Sequence, residues 1–123
     1  MNIIISNKID KPIYQQINDQ IKIQIIKGIL KKDEALPGMR SLASDLKVSL
    51  ITTKRAYKDL EEEGYIYTVP GKGSFVAPLN KDYVYEEALK KIEDYFEEVI
   101  IAARSINLSK NEILEILENL LES

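Results

Sequence analysis

Residues 39–77 read MRSLASDLKVSLITTKRAYKDLEEEGYIYTVPGKGSFVA, and this stretch decides the fold. Met39, Leu42, Ala43 and Leu46 recur at helical spacing, so a short helix follows Gly38. Lys47-Val48 forms a tight link. Ser49 is then a good N-cap for a helix over about residues 50–63, because its hydroxyl oxygen can accept from an orphan backbone N–H. Ala56, Tyr57 and Leu60 form the apolar face of that helix, and Gly64 ends it. Two short helices across so tight a turn have helix-turn-helix spacing. Two runs rich in β-branched and aromatic residues follow, Tyr65–Val69 and Ser74–Ala77. Pro70-Gly71-Lys72-Gly73 lies between them, so the pair predicts a β-hairpin.

Upstream, Pro12 is placed at the first position of another helix. Ile13, Ile17, Ile21 and Ile25 give it one apolar stripe, and Gly28 is its natural stop. Glu34–Pro37 is short and extended, because Pro37 pushes Leu36 out of the helical region. Downstream, Pro78 closes the unit and Leu79-Asn80-Lys81 is the expected boundary. Tyr85, Leu89, Ile92, Phe96, Val99, Ala103 and Ile106 then follow a 4-3-4-3-4-3 spacing, an unbroken heptad seam. A helix over about residues 82–106 would run roughly 36 Å. Ser109-Lys110-Asn111-Glu112 is a capping box opening a last helix with Ile113, Leu114, Ile116, Leu117, Leu120 and Leu121.

Composition removes whole classes of function. The 123 residues are 45% apolar and 30% charged, enough to bury a core. There is no Cys and no His. Thiol nucleophiles, thiolate metal sites and the usual general base near neutral pH are therefore excluded. The pairs Glu86-Glu87 and Glu97-Glu98 read as solvated helix faces rather than catalytic carboxylates. No catalysis, cofactor or metal is expected. No apolar run reaches the ~18 residues of a membrane span. The first residues carry no basic segment or cleavage site of a signal peptide, so a cytoplasmic protein is expected. The net charge of −3 conceals an asymmetry: residues 1–79 hold 12 Lys/Arg against 9 Asp/Glu, and residues 80–123 hold 5 against 11. A basic front and an acidic back suggest two jobs, with any polyanion docking at the front.

Three helices followed by a hairpin is the order of a winged helix-turn-helix. Residues 12–77 also resemble the DNA-binding domain of GntR-family bacterial transcription regulators. The resemblance rests on Pro12-Ile13-Tyr14, Gln16-Ile17, Leu36-Pro37, Arg40, Leu42-Ala43, Val48-Ser49, Thr52, Arg55-Ala56, Glu63-Gly64 and Gly71-Lys72-Gly73 with Phe75-Val76. The short two-helix tail is similar to the YtrA subfamily. The resemblance implies a mainly α fold with a small β-hairpin wing. It implies a winged helix-turn-helix at residues 1–79, a helical dimerisation arm at 80–123, and repression of a transporter or stress operon.

The resemblance also assigns roles. Arg40 becomes the DNA-contacting arginine of the second helix, Ser49, Leu50, Thr52 and Lys54 the exposed start of the recognition helix, and Gly71 and Lys72 the wing tip in a minor groove. Each has a physical sense. A guanidinium fork suits phosphate or guanine, hydroxyls at a helix start can bond phosphate or base edges, and a wing lysine meets negative potential. The partner is then double-stranded DNA with a pseudo-palindromic operator, bound by a homodimer. Tyr85, Leu89, Ile92, Phe96, Val99, Ala103, Ile106, Ile113, Leu117 and Leu120 hold the dimer. No small-molecule effector is identified, and 44 residues in two helices leave little room for an enclosed pocket.

The chain departs from the family pattern. Gly38 and Ser41 replace the usual capping box of the second helix, Lys47 replaces a usual Gly, and Leu50-Ile51 is apolar where polar residues are common. Several alternatives stay open at this stage. Arg40 could pair with Asp45. Leu50 and Ile51 could pack back onto the domain or face a groove, where Leu50 would meet a thymine methyl. The seam could pack on the last helix of its own chain, or recruit a different protein as an interaction module.

Overall fold

The computed structural model describes residues 1–123. Its elements are α1 (Ile13–Ile26), α2 (Met39–Leu46), α3 (Leu50–Glu62), β1 (Ile66–Val69), β2 (Gly73–Val76), α4 (Lys81–Ser105) and α5 (Lys110–Glu122). They fall into two compact units, Met1–Leu79 and Asn80–Ser123. The fold is mainly α with a small β wing.

In the first unit, Ile17, Ile21 and Ile25 of α1 are buried together with Leu42, Ala56, Tyr57, Leu60, Ile66 and Val76. Pro12 is the N-cap of α1 rather than its first helical residue. Its backbone is extended (ψ 149°), and its carbonyl accepts from Gln15 and Gln16 N–H at 3.1 Å each. Gly28 (φ +76°) turns the chain out of α1 in the left-handed conformation that ends many helices. α1 and α3 are also tied by polar contacts. Buried Asn18 donates to the Ala56 carbonyl at 3.3 Å, and the Arg55 guanidinium stacks on Tyr14, 3.8 Å from the ring centroid.

β1 and β2 pair antiparallel, with Ile66 opposite Val76 and Val69 opposite Gly73. β1 ends at Val69 as expected but starts one residue late, because Tyr65 N–H still bonds the Leu60 carbonyl, and β2 lies one residue early, with Gly73 already paired across the hairpin. The stretch before Pro37 serves as a third strand position. Val76 N–H bonds the Glu34 carbonyl at 2.9 Å, Leu36 N–H bonds the Ser74 carbonyl at 2.9 Å, and Ala35 bridges Phe75. The wing is thus anchored to the segment that leads into α2.

In the second unit, Asn80 caps α4 by accepting from Tyr83 N–H at 3.1 Å. Asp82 in the first turn and Arg104 in the last complement the helix dipole. Ile106 is the C-cap, just past the helix in which the seam places it. Asn107 (φ +55°) makes the turn to α5. α5 opens on the capping box: Ser109 Oγ accepts from Glu112 N–H, and Glu112 Oε1 accepts from Ser109 N–H. Those hydrogen bonds hold the Glu112 carboxyl below the usual carboxylate range.

Only Ala103 of this unit is buried, beside the turn where Leu108 N–H bonds its carbonyl. Tyr85, Leu89, Ile92, Phe96 and Val99 are 36–65% exposed, so the chain's own last helix does not cover the seam. Ile106 and Leu120 are also exposed, and Ile113 and Leu117 are half-buried. No helix is long and apolar enough to cross a membrane.

Candidate nucleic-acid interface

The helix-turn-helix is α2 and α3 joined by Lys47-Val48-Ser49. Two buried residues of α3, Tyr57 and Thr53, tie it to the segment that opens α2. The Tyr57 hydroxyl donates to the Pro37 carbonyl at 2.6 Å, and Thr53 Oγ1 lies 3.0 Å from the Met39 carbonyl and 3.1 Å from that of Leu50. Burial raises the Tyr57 hydroxyl far above its ordinary value, so it stays a donor at all working pH. Residue types alone mark Tyr57 as core. The reach of its hydroxyl back to Pro37, 20 residues away, becomes visible only once the helices are placed.

This frame positions the expected residues. Arg40 is the second residue of α2, exposed, and in none of the ion pairs, so the expected alternative pairing with Asp45 does not form. Gly38 caps α2 with no side-chain bond, consistent with its departure from the family pattern. Lys47 closes α2 in the left-handed conformation at φ +58°, which explains the family's glycine there. Ser49 caps α3 by accepting from Thr52 N–H at 3.2 Å, and its hydroxyl lies 2.7 Å from that of Thr52. Lys54 is exposed and unpaired.

The two apolar residues of the first turn separate. Leu50 is half-buried and Ile51 is 78% exposed. The buried stripe of α3 is Thr53, Ala56, Tyr57 and Leu60. At ~100° per residue, Leu50 lies roughly 70° from the centre of that stripe and Ile51 roughly 170° from it.

At the wing tip, Lys72 N–H bonds the Val69 carbonyl at 2.9 Å. Gly71 (φ +78°) and Gly73 (φ +119°) adopt backbone that side chains with a Cβ resist. Lys72 projects between them, exposed and unpaired. Tyr67 and Phe75 stack across the hairpin with centroids 5.6 Å apart, and the Tyr67 hydroxyl donates to Asp33 at 2.8 Å. Arg40, Lys54 and Lys72 thus remain free, while Lys11, Lys22 and Lys58 pair with Asp19, Glu63 and Glu62.

Residues 13–76 match the profile of the bacterial regulatory proteins of the gntR family. The chain belongs to the GntR family. As a member it is a transcription regulator that works by binding DNA rather than by catalysis. The chain is 37% identical to the HTH-type transcriptional repressor YtrA of Bacillus subtilis over 92 residues, 75% of this chain and 71% of that one. It superposes on a crystal structure described as a transcriptional antiterminator from Listeria monocytogenes, with a TM-score of 0.76 and 30% identity, covering 98% of this chain and 90% of that one. The first unit is also similar to the DNA-binding domain of AraR in complex with operator ORE1. There the TM-score is 0.53 at 30% identity, covering 63% of this chain and 94% of that one.

Proposed function

We propose that this GntR-family chain is a homodimeric repressor. Residues 1–79 form its DNA-binding domain and residues 80–123 its two-helix dimerisation arm. Two recognition helices enter successive major grooves of a pseudo-palindromic operator, roughly 34 Å apart. Arg40, Ser49, Thr52 and Lys54 line the α2–α3 face of that contact, with half-buried Leu50 at its edge, and Gly71 and Lys72 enter the adjacent minor groove. The targets are a transporter or stress operon, the class that resemblance to the YtrA branch implies, and the site of action is the cytoplasm.

The observation that carries the dimer is the uncovered seam. A column from Tyr85 to Val99 stands 36–65% exposed in the single chain, and a second copy offers the same column in return. Free Arg40, Lys54 and Lys72 on the basic unit support the DNA partner, as does the likeness to a domain seen on its operator. The test is a gel-shift titration on DNA upstream of the protein's own operon, with sedimentation analysis of wild type and Phe96→Ala. Phe96 is 46% exposed. Covering the rest of each ring stabilises by ~1 kcal/mol, or ~2 kcal/mol over two copies. Phe96→Ala should therefore weaken the dimer about thirtyfold and operator binding with it. A wild type that sediments as a monomer, or pairs only with a different protein, refutes the homodimer.

A further inference from the structure

We infer that Ile51 is the residue by which this chain reads a thymine methyl in its operator. This rests on the DNA-binding reading above and moves the expected thymine contact from Leu50 to its neighbour. Ile51 is the second residue of α3 and stands 78% exposed, the most exposed large apolar side chain of the first unit. It lies opposite the buried stripe, at the centre of the helix face that looks outward. Leu50, rotated ~100° toward the buried stripe, is half-buried.

The neighbours strengthen the assignment. The hydroxyls of Ser49 and Thr52 lie 2.7 Å apart, and Ser49 Oγ also accepts from the Thr52 backbone. One of the two O–H groups is spent on the other hydroxyl, and the side chain of the turn that points furthest outward is the aliphatic one of Ile51. The only apolar feature that a base pair shows in the major groove is the C5 methyl of thymine. An outward isoleucine at this point has one chemical match among the four bases.

The experiment needs only the full chain. Its site is selected from a randomised DNA library, and each thymine of the selected site is then replaced by deoxyuridine, which removes the methyl and leaves the pairing edge intact. Wild type should lose affinity about fourfold at one symmetric position per half-site, the value of one buried methyl, and about fifteenfold when both half-sites carry the change. Ile51→Ala should melt like wild type and be indifferent to uracil at that position. Leu50→Ala should melt lower and keep the sensitivity. A wild type that selects a site but ignores uracil everywhere overturns this inference and leaves DNA binding standing. So does an uracil effect that survives Ile51→Ala or vanishes in Leu50→Ala. A wild type that enriches no sequence overturns the DNA-binding reading and this inference with it.

Discussion

Lys47→Gly should stabilise the protein, an uncommon direction for a substitution that deletes a long side chain. Lys47 closes α2 at φ +58°, ψ +45°. The left-handed conformation turns the Val48 N–H back onto the Ala43 carbonyl at 3.0 Å, and the Lys47 N–H bonds the Ser44 carbonyl at 3.3 Å, so these two carbonyls of the last turn are satisfied. For a residue with a Cβ that geometry costs ~1–2 kcal/mol. Glycine relieves the strain but loses more freedom on folding, which returns ~0.5–1 kcal/mol. The difference favours Gly by about 0.5–1 kcal/mol. The ammonium is exposed and unpaired, so its removal subtracts little. In a domain of this size the gain raises the melting temperature by ~3–6 °C. Thermal melts by circular dichroism on wild type, Lys47→Gly and Lys47→Ala read it directly. Alanine deletes the side chain and keeps the strain, so Lys47→Ala should show no gain. A Lys47→Gly that melts no higher than Lys47→Ala would refute the reasoning.

Lys72→Ala should lower the slope of log affinity against log salt by about 1 per half-site, with the preferred sequence unchanged, because a phosphate contact releases counterion without reading bases; equal affinity across a salt series reduces the wing to a turn. Tyr57→Phe removes the 2.6 Å bond to the Pro37 carbonyl and should cost about 1 kcal/mol in urea denaturation; an unchanged midpoint means that bond stabilises nothing. The folded carboxyl of Glu112 titrates below its unfolded value, so its stabilisation is present above the ordinary Glu range near ~4.3 and is lost as pH falls through it. Glu112→Gln keeps the capping box and removes that titration, so its helical signal should fall less than wild type's between about pH 5 and 3; identical acid curves would sink this reading.

Much of this arrangement is legible in the residues. The stripe of isoleucines in α1, the Ser49 and Ser109 caps and the Gly71–Gly73 turn are local, and local chemistry suffices to place them. The heptad seam is equally plain, but its exposure from Tyr85 to Val99 becomes visible only in the structure. The first turn of α3 resists because one residue of phase separates Leu50 from Ile51. Rotating the helix by ~100° exchanges a half-buried residue for a fully outward one. That phase is set by Thr53 and Tyr57, whose burial depends on where Pro37 and Met39 lie. A short apolar pair at a helix start therefore stays ambiguous until the partner segment is in place.

The opening segment resists for a different reason. Nothing in Met1–Ser6 marks it as structured, yet three glutamines of α1 grip its backbone. Gln24 donates to the Asn2 carbonyl at 2.8 Å, Gln20 exchanges two bonds with Ile4 at 2.9 and 2.7 Å, and Gln16 exchanges two with Ser6 at 3.0 and 2.9 Å. The periods explain the fit. Four residues of α-helix rise ~6.0 Å and two residues of extended chain ~6.6 Å, so glutamines at every fourth helical position meet alternate residues of a strand running the other way. The amide is the side chain that can do this, since it carries both a donor and an acceptor at one tip and so replaces a strand partner. Ile3 and Ile5, between the gripped residues, turn their side chains onto the core beside α1. A glutamine every fourth residue is visible in the sequence as a pattern. Its meaning lies in the match between two periods 10 to 22 residues apart, and neither segment alone carries it.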